Sequence, residues 1–252
     1  MQTLDKKLEE AAECLINSEY SIVFTGAGIS VESGIPPFRG PDGLWSKYNP
    51  SILNLNRFLK KPEESWPVIK EIFYDFYGAA KPNPAHTSVA ELEKMNIVKR
   101  VITQNIDDLH QKGGSSEVYE FHGTMKSLKC LLCNKSFDYA PKLLKKLPAL
   151  CPNCGGLLKP DFVFFGEGIP QYAYKKSIEG AKNSDCVLVI GTTGEIQPAS
   201  YVPIAAADKG AKIIEINIED SKYTNFITDI FLKGKAGEIM PKLLAKVKSM
   251  KK

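Results

Sequence analysis

The sequence predicts an α/β fold, a parallel sheet carrying a smaller second lobe, and three observations predict it. Short apolar, β-rich runs alternate with amphipathic helical stretches along most of the chain. The alternation breaks off twice, over 42–84 and over 126–159. Four cysteines lie inside the second break at metal-ligand spacing.

The elements follow in order. Residues 3–17 carry Leu4, Leu8, Ala11, Ala12, Leu15 and Ile16 on one helical stripe. Residues 20–25 are a β-rich run ending at Gly26. Segment 42–84 is rich in aromatics, proline and lysine, with helical pieces around Phe58 and over 67–77. A helix is expected over 86–95, a strand over 97–103 and a short strand over 118–121. After the cysteine segment come a helix over 172–182 and a buried strand over 185–190 (DCVLVI), which runs into Gly191-Thr192-Thr193. A helix over 201–209, strands over 211–217 and 230–232, and a helix over 236–247 complete the chain. Strands alternating with helices make the sheet parallel. Two insertions into one core can pack together, and the cleft beside them is the natural ligand site.

Composition sets the bounds. The 252 residues correspond to between one and two domains. Hydrophobic residues at 43% and charged residues at 25% exclude a disordered chain, a collagen and a coiled coil. The net charge of +4 is too mild to call for nucleic acid. No apolar run approaches the roughly 18 residues of a membrane span. The N-terminal stretch is charged and helix-patterned rather than a secretory leader. A cytoplasmic protein with neither membrane nor nucleic acid as partner is expected.

Cys130-x-x-Cys133 and Cys151-x-x-Cys154 are separated by seventeen residues, the spacing of a tetrahedral zinc site. Gly155 and Gly156 follow the second pair, where a turn needs positive φ. Four thiolates close the coordination sphere and leave no position for water, so one structural zinc is expected. Cys14 and Cys186 sit in apolar patterns and belong to the core.

The first strand runs into Gly26-Ala27-Gly28-Ile29-Ser30. Such a turn can bring backbone N–H groups to a phosphate pair. Val31 stands where the third glycine of G-x-G-x-x-G falls, and no acidic residue follows about twenty positions on. The turn alone therefore leaves a dinucleotide site and an ordinary tight turn equally open. Asn105 and Asp107 directly follow a strand, at the end where α/β ligands bind, though an Asx-type cap explains them as well. The histidines are His86, His110 and His122, and histidine is the side chain suited to moving a proton near neutral pH.

Taken together and in order, these pieces resemble the sirtuins, the silent information regulator family, of bacterial or archaeal type. The pieces are GAGISVESGIPPFRG (26–40), PNPAH (82–86), TQNIDDLH (103–110), FHG (121–123), the paired cysteines, PDFVFFGE (160–167), GTT (191–193) and IN (216–217). The resemblance implies a Rossmann-like parallel sheet with a smaller lobe made of a helical insertion and a zinc-ribbon insertion. The larger lobe is then 1–41, 85–125 and 160–252, and the smaller one 42–84 (helical) and 126–159 (zinc-binding). It implies an NAD-dependent protein-lysine deacylase that releases nicotinamide and O-acyl-ADP-ribose. Mono-ADP-ribosyl transfer or NAD cleavage is the alternative on the same fold.

By the same resemblance His122 is the general base on the nicotinamide-ribose hydroxyls, while His86 and His110 are structural. Asn105 orients the ribose and a water, Asp107 holds the nicotinamide amide and Gln104 contacts the ribose. Ala27, Ile35, Phe38 and Ile106 line the nicotinamide pocket. Gly26, Gly28, Ser30 and Glu32 belong to the cofactor turn, and Arg39 contacts phosphates or orders the loop. Gly191, Thr192, Thr193 and Asn217 hold phosphate or ribose, and Ala236 opens the last helix beside the cofactor. Val163, Phe164, Phe165 and Gly166 match the segment that pairs with the substrate backbone, opposite Gly194, Glu195 and Ile196. Tyr74 and Tyr77 stand where succinyl-preferring members carry Tyr and Arg. With no arginine there, a carboxylate-bearing acyl group lacks its charge partner, so acetyl or longer apolar groups are expected.

Overall fold

The computed structural model describes residues 3–38 and 43–251. Helix α1 (Leu4–Asn17) starts where Thr3 Oγ1 accepts the Lys6 N–H at 3.4 Å, and it buries Leu8, Ala11, Ala12 and Leu15. A turn held by the Asp185 carboxylate, which accepts the Glu19 and Tyr20 N–H groups, leads into β1 (Ser21–Thr25). All five residues of β1 are buried. A 3₁₀ turn over Ala27–Ser33 follows. The first insertion holds α2 (Leu44–Lys47), α3 (Leu55–Lys60) and α4 (Pro62–Ile69).

The helix expected over 67–77 begins earlier and changes character. Pro62 sits in its first turn, where the missing N–H costs nothing, while Pro67 inside it cannot donate. Beyond Ile69 the coil widens into a π-helix over Lys70–Phe76, which turns Ile72, Phe73 and Tyr74 inward together.

Helix α5 (Pro84–Lys94) and strand β2 (Val98–Thr103) return the chain to the sheet. The short α6 (Leu109–Lys112), β3 (Val118–Glu120), β4 (Gly123–Cys130), β5 (Ser136–Asp138) and β6 (Leu158–Phe162) follow. The chain ends with α7 (Gln171–Asn183), β7 (Cys186–Ile190), α8 (Tyr201–Ala207), β8 (Lys212–Asn217), β9 (Ile230–Lys233) and α9 (Ala236–Met250).

The larger sheet has the order β3-β2-β1-β7-β8-β9, parallel throughout. Counting only its own strands, that is 3-2-1-4-5-6, the doubly wound order, with its reversal point between β1 and β7. Leu15, Leu92 and Leu243, from α1, α5 and α9, belong to the apolar cluster on one face of the sheet. Ala181, Val202 and Ala206, from α7 and α8, belong to the cluster on the other.

The antiparallel sheet β5-β4-β6 packs with the helices of the first insertion. One apolar cluster joins them. Trp66 is fully buried and its Nε1–H donates to the Leu158 carbonyl at 3.1 Å. Phe58 meets Phe164 edge-on at 5.2 Å, and Phe73 meets Phe162 at 4.9 Å. Burying each such ring is worth roughly 1.5–3 kcal/mol, and each aromatic pair about 0.5–1.5 more.

At the reversal point the turns after β1 and β7 touch through glycine. Gly28 N–H donates to the Gly191 carbonyl at 2.8 Å. Gly191 has φ +61°, and a Cβ there would lie 2.5 Å from the Ile29 nitrogen. Gly191→Ala is expected to destabilise the fold by about 2–4 kcal/mol through left-handed strain plus overpacking, read as a lowered denaturation midpoint.

Candidate active site and zinc centre

Most of the cofactor residues expected from the sequence lie at C-terminal strand ends. β1 ends at Thr25 and leads into Gly26, Ala27 and Gly28. β2 ends at Thr103 before Gln104, Asn105, Ile106 and Asp107, and β3 ends at Glu120 just before His122. β7 leads into Gly191, Thr192 and Thr193, β8 ends on Asn217, and Ala236 follows β9. Six strands spaced about 4.8 Å apart make this row roughly 24 Å long, a length suited to a dinucleotide. Side chains link its members. Gln104 Nε2 donates to Thr192 Oγ1 at 3.0 Å and Asn217 Nδ2 to the Thr192 carbonyl at 3.0 Å.

Beneath the β1 turn lies a buried polar network. Ser30 Oγ donates to Asp107 Oδ2 at 2.7 Å and accepts from Asn105 Nδ2 at 3.1 Å. Asn105 Nδ2 also reaches the Gly26 carbonyl at 3.2 Å. Asp107 Oδ1 accepts the Leu109 N–H at 3.0 Å, an Asx turn, so the cap role and a site role coexist. Burial raises the Asp107 pKa, against the two hydrogen bonds that lower it. Each of its oxygens keeps a further lone pair, which fits the donor of an amide-bearing ring. Ile35 and Ile106 are buried close by in sequence and belong to one apolar cluster, which Phe38 packs against. Arg39 lies outside the described residues.

His86 and His110 form the floor. Their rings meet edge-on at 5.1 Å. His86 Nδ1 accepts the Asn83 N–H at 3.3 Å, completing a capping box for α5. His110 Nε2 and Thr25 Oγ1 are 2.9 Å apart, and Thr25 Oγ1 donates to Thr103 Oγ1 at 2.8 Å. Burial pushes His86 down to about 4 and His110 well below its usual value, so both are neutral at pH 7.

His122 is held differently. Its Nδ1 lies 3.0 Å from the Gln104 carbonyl, which can only accept, so the proton sits on Nδ1. Nε2 is then the basic nitrogen. Burial lowers the ring's pKa, partly offset by the Gln104 bond, so the basic form is present at neutral pH. Gly123, with φ +74°, packs its backbone against Asp161, where a Cβ would lie 2.3 Å from the carbonyl oxygen.

The segment expected to pair with substrate is more internally committed than its sequence suggests. Val163 N–H donates to the His122 carbonyl at 2.8 Å, Phe164 N–H to Glu167 Oε2 at 2.7 Å, and Phe165 N–H to the Leu53 carbonyl at 2.8 Å. Buried Lys159 underpins it. Its Nζ donates to the Pro160 and Phe162 carbonyls at 2.7 and 2.8 Å, pairs with Glu167 at 3.0 Å and lies 4.3 Å over the Phe164 ring. Phe164 is buried, whereas Phe165 is exposed and meets Trp45 at a tilt, 6.4 Å between centroids, and Trp45 in turn meets Phe38 at 5.7 Å. In the other segment expected to clamp substrate, Gly194 has φ +71° against the Tyr223 ring, and Glu195 and Ile196 are exposed.

Tyr74 is not brought to this group: its ring packs on Trp66 and on Tyr139 of the zinc segment. Tyr77 packs on Phe73 and Phe76, and the Asp107 charge reaches it. Both phenol oxygens are buried without a hydrogen-bond partner among the described residues. Sequence reading missed Trp45, Lys159, Glu167, Thr25 and Thr103 as parts of the site. It also assigned Ser30 only to the cofactor turn. Thr25 and Thr103 meet across 78 residues, whereas Lys159 and Glu167 find their partners within 159–167, where PDFVFFGE reads only as a matching motif.

The four cysteine sulfurs lie within 4.8 Å of one another. Cys130 and Cys154 Sγ are 3.5 Å apart, and Cys133 and Cys151 Sγ 3.8 Å. A tetrahedron with Zn–S near 2.3 Å has edges of about 3.8 Å, so the donor set fits zinc. Both knuckles close the same way, Asn134 N–H on the Cys130 carbonyl and Gly155 N–H on the Cys151 carbonyl. Asn134 (φ 59°) and Gly155 (φ 73°) are left-handed. Gly156 is not, and is required instead by crowding: its Cβ would lie 2.6 Å from Leu132 Cβ.

A doubly wound nucleotide-binding sheet with a four-thiolate metal lobe over its strand ends defines the class. The Sir2 family model matches residues 26–198, and the chain belongs to the Sir2 family. It is 46% identical to the NAD-dependent protein deacylase of Pyrococcus furiosus, covering 97% of this chain and all of that one. Two solved structures are also similar. One is a Sir2 homologue–NAD complex at TM-score 0.89 and 39% identity, covering 96% of this chain and 94% of that one. The other is a Sir2–p53 peptide–NAD⁺ complex at TM-score 0.87 and 32% identity, covering 95% and 98%.

Two outcomes follow. Cys151→Ser should lose bound zinc, by metal analysis, and lower the melting temperature. Because His86 has its folded pKa depressed to about 4 from 6.5, its contribution is complete above pH 6.5 and is lost as pH falls. Denaturation at pH 7 and pH 4 should differ by about 3 kcal/mol from this ring alone, a component absent from His86→Gln.

Proposed function

We propose that the chain is an NAD-dependent protein-lysine deacylase acting in the cytoplasm, with His122 as its general base. The observation that carries the reading is the Nδ1-protonated, neutral His122 at the end of the row of cofactor-suited groups. The lobes are divided as read from the sequence, and the reading is supported by the one apolar cluster that joins the two insertions to each other while also taking in Ile35, Ile106 and Phe164 of the larger lobe.

When bound, NAD supplies an electrophilic ribose carbon with nicotinamide as leaving group. Gln104, Asn105 and Thr192 would hold ribose hydroxyls, Gly191, Thr193 and Asn217 the adenosine side, and Asp107 the carboxamide, with Ala27, Ile35, Phe38 and Ile106 around the ring. His122 Nε2 takes a proton from a ribose hydroxyl, while the Gln104 carbonyl stabilises the imidazolium through Nδ1–H. An acyl-lysine peptide lies as an extended strand between 163–166 and 194–196. Three N–H groups of the 163–165 edge are used inside the protein, so its carbonyls and the 194–196 backbone would bond the peptide main chain, and because main-chain bonds carry no side-chain information, selection at the clamp is loose. Phe165, Trp45 and Phe38 would screen the acyl chain from water.

His122→Ala should lower deacylation by about 10²–10⁴-fold with NAD affinity little changed. Equal turnover would sink the assignment. The rate should hold at neutral pH and fall only as pH drops through a value below 6.5, because protonation removes the base. A comparison of acetyl, succinyl and fatty-acyl peptides of one sequence should show apolar groups preferred, and a succinyl preference would refute the acyl reading. NAD consumption at an unchanged rate without acyl-peptide would favour glycohydrolase or ADP-ribosyl transfer instead.

A further inference from the structure

Two short stretches each carry +5: 242–252, where Lys246 and Lys248 pair with Asp5 and Glu91, and 126–158. Between residues 126 and 158 lie Lys126, Lys129, Lys135, Lys142, Lys145 and Lys146 against a single acid, Asp138. That balance of +5 exceeds the +4 of the whole chain, so the remainder sums to −1. All six lysines are exposed. Lys126 pairs with Asp108, but Lys142, Lys145 and Lys146 have no ion-pair partner among the described residues.

These three lysines rim a groove of about 690 Å³ whose floor includes Phe137, Leu143 and Leu150. Leu150 leaves 54% of its surface exposed. Clustered like charges repel, and an exposed leucine among them gains nothing from water. A partner that is both anionic and apolar relieves both. Phosphates of a nucleic acid would meet the lysines but leave the apolar floor uncovered. The floor also lacks the row of exposed aromatic rings on which bases stack.

We propose that this groove docks an acidic segment, interspersed with apolar residues, of the protein whose acyl-lysine enters the cleft. The deacylase reading supplies the source of that segment, whereas the binding itself does not depend on catalysis. The placement suits a second contact on one substrate. The groove begins at β5, whose Phe137 and Asp138 pair with Leu128 and Ser127 of β4. β4 starts at Gly123 beside His122, so the two sites are roughly 17 Å apart along the strand. A clamp that reads side chains loosely gains selectivity from such a tethered contact by effective concentration.

The test uses the full zinc-loaded chain and a short fluorescein-labelled peptide, free of acyl-lysine, rich in Glu with Leu at regular intervals. Fluorescence anisotropy should show binding that weakens with salt. Binding should fall by about tenfold or more in Lys142→Glu/Lys145→Glu/Lys146→Glu. In that variant, turnover of a short acetyl-lysine peptide should stay within about twofold, and fusing the acidic segment to that peptide should lower KM only in the unmutated protein. Should the triple variant lose its zinc, Leu150→Glu replaces it and must weaken the probe likewise. Undiminished binding to the variant, equal binding of a Lys-for-Glu peptide, or binding of duplex DNA in place of the peptide would overturn the proposal. Absent turnover of the short peptide with probe binding intact would instead refute the deacylase reading alone.

Discussion

Two strands meet at the centre of this molecule and their chains must leave in opposite directions. At that point the backbone of Gly28 lies against that of Gly191, N–H to carbonyl at 2.8 Å, with no room for a Cβ on either side. The placement of the site follows from this contact. It sets the turn that carries Ser30 down between Asn105 and Asp107, and the turn that carries Thr192 to Gln104 and Asn217. Groups from four different strand ends are thereby locked to one another before any ligand arrives, which is what positional catalysis requires.

Much of the architecture was legible in the sequence because it rests on local pattern. A run such as DCVLVI is apolar on both faces and can only be a strand covered twice. The zinc knuckles are legible for the same reason, since spacing alone brings each cysteine pair to one side of a turn. Gly156 shows where local reading stops: its need comes from Leu132 across the knuckle, not from its own dihedral angle. The break of the expected 67–77 helix into a π-helix also escaped, because tertiary demand for three adjacent inward side chains overrode helical period.

Residue types in the site were legible and their partners were not. Asn105 and Asp107 announce themselves by following a strand, but Ser30 joins them from 75 and 77 residues away. Lys159 reads as an ordinary surface cation. Only the fold reveals that it is buried, with its ammonium spent on two carbonyls, Glu167 and a phenyl face, the kind of full pairing that makes a buried charge tolerable. Tyr74 and Tyr77 were placed by analogy of spacing, and spacing does not say which way a π-helical turn directs a ring.

The Trp66–Leu158 hydrogen bond joins segments 92 residues apart, whereas Cys130 and Cys154 are 24 apart. Loop-closure entropy makes the longer link costlier by about 1 kcal/mol. The metal knuckles are thus the cheaper of the two links to close. The metal, remote from the chemistry, shortens the loop between β4 and β6 and so holds in place the strand on which the tryptophan of the aromatic insertion rests.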